Sequence, residues 1–242
     1  MPARRSLVVA LLLMLVLAGC RSARINVRGS GAVVADPRPV GSFTRVTFAI
    51  PATLIVQPGD TDSVVVEADD NVSAEIRTEV LNGDLIIASQ RSYITPRPSV
   101  PVTVRVTGKA IDTVNVTGVG EARVSGLNGP SLKLTLGGPA RLTADNLRVD
   151  TLAVSLGGTG AMTISGQAPR QEATIGGATT YQADGLDSRD ATVTASDGAR
   201  AIVRASDSLN ATVANGATIE YLGSPRVTER IIGSGQVRPY AP

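Results

Sequence analysis

The chain has 242 residues, with 23 Lys and Arg against 21 Asp and Glu, no histidine and one cysteine. Without histidine there is no Ser-His-Asp triad, no Cys-His pair and no histidine zinc site. Without a second cysteine there is no intrachain disulfide. Arg4 and Arg5 are the only charged residues of positions 1–19, so the net charge of +2 falls to about zero once that segment is removed. A neutral chain has no electrostatic footprint for nucleic acid.

The first element is a targeting segment. Arg4 and Arg5 precede an unbroken apolar run from Leu7 to Ala18, which is too short to span a bilayer comfortably. It ends in "LAGC", Leu17 to Cys20. This resembles a bacterial lipobox, in which cleavage before the cysteine leaves a lipidated N-terminus. The resemblance implies a signal peptide over 1–19, lipid on Cys20 and anchorage in a membrane. Arg21, which is not acidic, favours transport to the outer membrane. Residues 20–42, holding several Gly and Pro, read as a tether, though "INV" and "AVV" are able to pair locally.

Residues 43–107 read as strands and tight turns. "TLIVQPGDTDSVVVEA" (Thr53–Ala68) predicts strand, turn, strand about Pro58-Gly59-Asp60. "ADDNVSAEI" has room for one helical turn capped by Asp70 or Asn71. "EIRTEVLNGDLIIAS" predicts a hairpin, because Asn82-Gly83 suits a type I′ turn with positive φ at both central residues. A proline-rich loop, Arg91–Pro101, and the strand "VTVRV" follow.

From about Val114 the chain repeats. The apolar residues ending successive alternating runs are Val116, Leu136, Leu156, Ile175, Ala195, Val213 and Ile232, at steps of 18 to 20. A turn element follows each: "TGVG", "GGPA", "GGTG", "GGAT", "SDGA", "ANGA", "GSGQ". Units of this size bury a face only by stacking on their neighbours. Their internal period of two makes the stack β rather than helical. The expectation is an all-β, single-stranded β-helix (β-solenoid) of six to seven coils over 108–237. Hairpins of 43–107 would cap it, and a tail over 238–242 would follow. Gly157 and Gly158 would form a corner, with Leu152, Val154, Leu156, Met162 and Ile164 pointing inward. A narrow core of this kind agrees with only two Phe, four Tyr and no Trp in the chain. An antiparallel sandwich also has frequent turns, but not turns grouped into a double-length unit that stays in phase.

Three stretches carry a resemblance to a known family: "GSFTRVTFAIPATLIVQPGD" (Gly41–Asp60), "VVVEADDNVSAEIRTEVLNGDLII" (Val64–Ile87) and "YLGSPRVTERIIGSGQV" (Tyr221–Val237). Together they are similar to the head GIN domain family of auto-transporter adhesin heads, over about 40–237. The resemblance implies a right-handed β-helix, an envelope location and no established enzymatic activity. The family's Gly-Ser-Gly-Asp corner signature is reduced here to "GVGE", "LGGP", "LGGT" and "IGGA".

Residues able to carry chemistry are few. Asp60, Asp62, Asp69, Asp70 and Asn71 are the densest oxygen clusters, and calcium wants six to eight such ligands. Turn and cap roles account for them, so no metal ligand and no cofactor is expected. Asp145, Asp184, Asp187, Asp190, Asp197 and Asp207 lie near turns beside Arg141, Arg148, Arg189, Arg200 and Arg204. A polysaccharide-active enzyme would need such groups paired on one outer face; as a solvated surface they keep the rod soluble. Tyr181 and Tyr221 fall in the inward phase, so aromatic platforms for sugar rings are not expected. The reading is a non-catalytic, lipid-anchored envelope protein with an adhesin-like binding surface. Its expected partners are the membrane, through the anchor, and an envelope protein or glycan. A polysaccharide-active enzyme, or a structural partner of another envelope protein, is the alternative.

Overall fold

The computed structural model describes residues 25–92 and 94–241. Cys20 and the apolar segment before it lie outside the described residues. No helix among the described residues is long and apolar enough to cross a membrane.

The chain is a parallel β-solenoid. One wall stacks β3 (Arg45–Phe48), β10 (Thr113–Val116), the end of β12 (Asn128–Gly138) and the end of β13 (Ala140–Gly158). It continues through β15 (Arg170–Ile175), β17 (Asp190–Ala195), β19 (Ser208–Ala214) and β21 (Arg226–Ile232), all parallel. A second wall stacks β4 (Ala52–Pro58), β11 (Gly120–Ser125), the start of β13, β14 (Ala161–Gln167), β16 (Thr180–Asp187), β18 (Arg200–Arg204), β20 (Ala217–Leu222) and β22 (Gly235–Pro239). Short stretches between the second wall and the next coil form a third side.

Leu136 pairs with Leu156, which pairs with Ile175, so the expected column exists. It runs on through Ala195 and Val213, and backward through Val116 to Phe48 and Ile87. Its last member differs from expectation: Val213 pairs with Ile231, and Ile232 lies opposite Ala214. The final step is therefore one residue shorter than the spacing of turn motifs suggests. Alternation does what a half-buried strand requires, as in β15, whose residues alternate exposed and buried throughout.

The corner depends on one glycine of each pair. Gly138, Gly158 and Gly177 take φ of 89°, 89° and 80° and stack on one another. A Cβ on Gly177 would lie 2.6 Å from the Gly158 carbonyl oxygen. Gly137 and Gly157 meet open space and have no positive φ. Two later corners use Asp197-Gly198 and Asn215-Gly216, with positive φ at both residues. They are tied to each other by Asn215 Nδ2 donating to Asp197 Oδ1 at 2.8 Å.

The N-terminal third departs from a cap of simple hairpins. β3 and β4 form a full coil of the stack. Below them lie β7 (Asp84–Ser89) and β9 (Thr103–Gly108), also parallel. β5 (Ser63–Asp69) does not pair with β4, because β9 sits between them. The Asn82-Gly83 hairpin does form, joining β6 (Ile76–Leu81) to β7 with φ of 50° and 77°. Antiparallel strands close this end of the stack: β6 beyond β7 on one wall, and β5 beyond β9 on the other, where a further N-terminal strand covers it.

Residues 25–38 are not a free tether. β1 (Ile25–Arg28) pairs in parallel with β8 (Ile94–Arg97), and β2 (Val33–Arg38) pairs antiparallel with β5. The helical turn α1 (Asp70–Ser73) starts after Asp69, not Asp70 or Asn71, and Asp69 makes no side-chain cap bond. Its buried carboxylate instead accepts from the Ser99 hydroxyl, from Ser99 N at 2.7 Å and from Gly31 N at 2.8 Å. The two Ser99 bonds lead in holding this carboxyl below its usual range, against the upward push of burial. Its contribution is thus complete above the unfolded value near 3.8 and is lost as pH falls through the lower folded value. Asp69→Asn should speed hydrogen exchange across 25–38 at neutral pH. The same exchange in the parent chain should rise only in strong acid; unchanged exchange in the variant would remove this role.

Candidate ligand groove

The third side curves inward. After Val149 its inward residues are small: Ala168, Ser188 and Ala205. The differences in coil length are absorbed here too. Register shifts occur between Ala144 and Leu147 and between Thr163 and Ser165. Asn146, with φ of 53°, takes up the first shift as a bulge. With small residues beneath it and shorter coils, this side sinks relative to the two walls.

The resulting groove has a volume of about 790 Å³ and crosses five coils. That is within the ~300–1,000 Å³ of typical ligand sites. Its polar lining includes Arg148, Asp150, Gln167, Asp187, Arg189 and Arg204. Arg148, Asp150 and Asp187 are exposed, and their side chains make no hydrogen bond or ion pair with any described residue. Arg204 Nε donates to the Asp184 carbonyl at 2.8 Å, which fixes its guanidinium over the floor. Arg189 Nε donates to Asp207 Oδ2 at 3.2 Å. Asp207 also accepts from Ser206 Oγ at 2.6 Å; this bond and then Arg189 hold its carboxyl below the usual range.

The groove floor connects to a polar chain inside the core. Ser188 Oγ donates to Gln171 Oε1 at 3.3 Å, and Gln171 Nε2 donates to the Tyr181 hydroxyl at 2.6 Å. All three are buried. Burial pushes the Tyr181 phenol up, only partly opposed by Gln171, so it stays protonated at neutral pH. Tyr181 fits because its register partner in the next coil is Ala201. Tyr221, also read as inward, is half-buried.

Of the charged residues singled out from sequence, the fold brings Arg148, Asp187, Arg189 and Arg204 together, with Asp207 at the edge. The others lie elsewhere. Asp145 accepts from Ser125 and Asn146, Asp190 from Ser208, and Asp197 from Asn215 and Ser196. Arg141 is exposed on the second wall. Arg200 and Arg238 both bind the buried Glu220. Burial would raise the Glu220 carboxyl; the two guanidinium partners together outweigh it and lower it. Asp62 accepts from Lys109 N at 3.0 Å as a loop tie, and Asp70 and Asn71 hold Ser30. Among the described residues no three Asp, Glu, His or Cys side chains converge as a metal site. Asp150, Gln167 and Ser206 were missed as groove residues. Gln167 sits in the register column of Arg148 and Asp187, and Asp150 lies two residues beyond Arg148 on the same strand.

A family described as "Putative auto-transporter adhesin, head GIN domain" matches residues 42–225. The chain belongs to that family. No curated protein matches it. A "putative adhesin" of Bacteroides fragilis superposes with TM-score 0.80 at 17% identity, covering 88% of this chain and 100% of that one. A "putative lipid binding protein" of Parabacteroides distasonis gives 0.75 at 20%, covering 89% and 100%. A "putative adhesin" of Parabacteroides merdae gives 0.64 at 18%, covering 90% and 100%. At these identities the likeness establishes the fold of this head GIN domain.

Proposed function

We propose that this head GIN domain is a non-catalytic, envelope-anchored binding module whose groove takes an extended, hydroxyl-rich chain, a glycan. The observation that carries the reading is the groove itself: it runs along the stack, crosses five coils and presents donors and acceptors of both signs with no bound partner in the fold. Arg148 supplies donors on one coil and Asp187 acceptors two coils further on, at about twice the ~4.8 Å strand spacing, while Asp150 adds acceptors on the same strand as Arg148. Such an array suits a polymer with hydroxyls repeating along its length. The head GIN family's description as adhesin heads supports binding over catalysis. Lipid on Cys20 would hold the module at a membrane through buried acyl chains, at about 0.8 kcal/mol per methylene.

Two experiments test this. Affinity electrophoresis against soluble dextran, polygalacturonate and chitosan should show at least one retarding the protein. Arg148→Ala with Asp187→Ala should weaken that retardation by about tenfold or more, as expected when two charge-assisted hydrogen bonds are lost. No retardation by any of the three, or equal retardation of the variant, would refute the glycan reading. For the anchor, cell fractionation should find the full chain with membranes and Cys20→Ser in the soluble fraction; co-sedimentation of both would exclude it.

A further inference from the structure

The stack ends openly. β21 and β22 pair only with the preceding coil, so each leaves one edge of backbone donors and acceptors unpaired among the described residues. Ile231 and Ile232 are 48% and 46% exposed there. An open edge of this kind is a template for adding another strand.

We propose that this end is a latent self-association surface, for a second copy of this chain, held closed by Glu229. The register supports this. Glu229 lies opposite Ala211 in a column that holds Val46, Val114, Leu134, Val154, Ala173, Val193 and Ala211 in the earlier coils. Every earlier member is apolar; the last carries a charge in the inward phase. Now let two copies meet end to end about a two-fold axis, with β21 antiparallel to β21 and centred on Glu229. Val227 then lies opposite Ile231 of the second copy, inward against inward, and the two cores become continuous. Thr228 faces Arg230, and Arg226 faces Ile232, with no clash of sign. The single conflict is Glu229 against itself, on the axis. Like charges directly opposed across a ladder are destabilising, and an inward charge at an edge is a known way of protecting it. Pro239, at the end of β22, also lacks a donor for any further strand.

The charge makes the arrangement testable with three proteins. By sedimentation velocity the parent chain is monomeric. Glu229→Gln forms a dimer, with an association constant raised by about a hundredfold, as removal of a like-charge contact worth several kcal/mol implies. Glu229→Lys alone stays monomeric, but mixed with the parent chain it forms a 1:1 complex, since the ammonium and the carboxylate now meet on the axis. A monomeric Glu229→Gln protein, a dimeric parent chain, or no complex in the mixture would each overturn the proposal. The mixture also separates this register from nonspecific association, which would not need one partner of each sign. The test makes no use of the groove, so its outcome is independent of the glycan reading.

Discussion

Gly166→Ala lowers the free energy of unfolding by about 3–5 kcal/mol, the range reserved for backbone conflicts and core damage. Gly166 has φ of 125°, and a Cβ there would lie 2.3 Å from the Leu147 carbonyl oxygen and 2.4 Å from its nitrogen. Those atoms belong to backbone in the preceding coil, so no side-chain movement relieves the contact. The site adjoins the bulge that carries the chain into the groove wall, so strain there also displaces Gln167. Gly157→Ala is the matched control. Its added carbon meets nothing within 4 Å and its φ is not positive. Loss of chain entropy in the unfolded state then leaves it neutral or more stable by about 0.4–1 kcal/mol. Urea unfolding followed by circular dichroism reads both. Equal effects would mean that the two glycines of the corner and the wall are not distinguished as the fold requires.

Leu136→Ala costs about 2–5 kcal/mol, by lost transfer energy and the cavity left behind. Leu136 is 1% exposed, with Val116 on one side of it in the column and Leu156 on the other. A solenoid holds each unit through its two neighbours, so a central column residue disturbs two interfaces at once. Ile231→Ala, in the same column, costs less than about 1 kcal/mol. It has one neighbour, Val213, and nearly half its surface already meets solvent. Measured midpoints should fall sharply for the first variant and barely for the second. Comparable losses would mean that Ile231 is covered and the C-terminal end is not open.

Much of this fold is legible in the chain because the period is written twice: in apolar alternation, and in the corner glycines. Stacking alone makes both signals repeat in phase. The column from Val116 to Val213 follows directly. Its end does not, because Ile231 and Ile232 are adjacent and equally apolar, and only hydrogen-bond register distinguishes them. The N-terminal third is harder for a different reason. β9 inserts between β4 and β5, which are neighbours in sequence, and no local pattern encodes a strand arriving from some forty residues away. Residues 25–38 look like a linker because β2 contains Pro37 and lies at an edge, where proline is tolerated.

The groove was legible only in part. Arg148, Asp187, Arg189 and Arg204 stood out by charge, yet so did Asp145, Asp190 and Asp197, which serve corners and ladders. What separates the two sets is depth. The groove exists because the inward residues Ala168, Ser188 and Ala205 are small on the third side, and residue size is not a charge signal.

Register-specific crosslinking tests the stack most directly. In a Cys20→Ser background, Thr135→Cys with Ser155→Cys places two thiols on adjacent strands in register. Their Cα atoms are then ~4.8 Å apart, inside the ~4.4–6.8 Å window for a disulfide. Thr135→Cys with Thr174→Cys places them two strands apart, beyond that window. The solenoid predicts rapid intramolecular crosslinking of the first pair and none of the second. Failure of the first pair, or crosslinking of both, would contradict it.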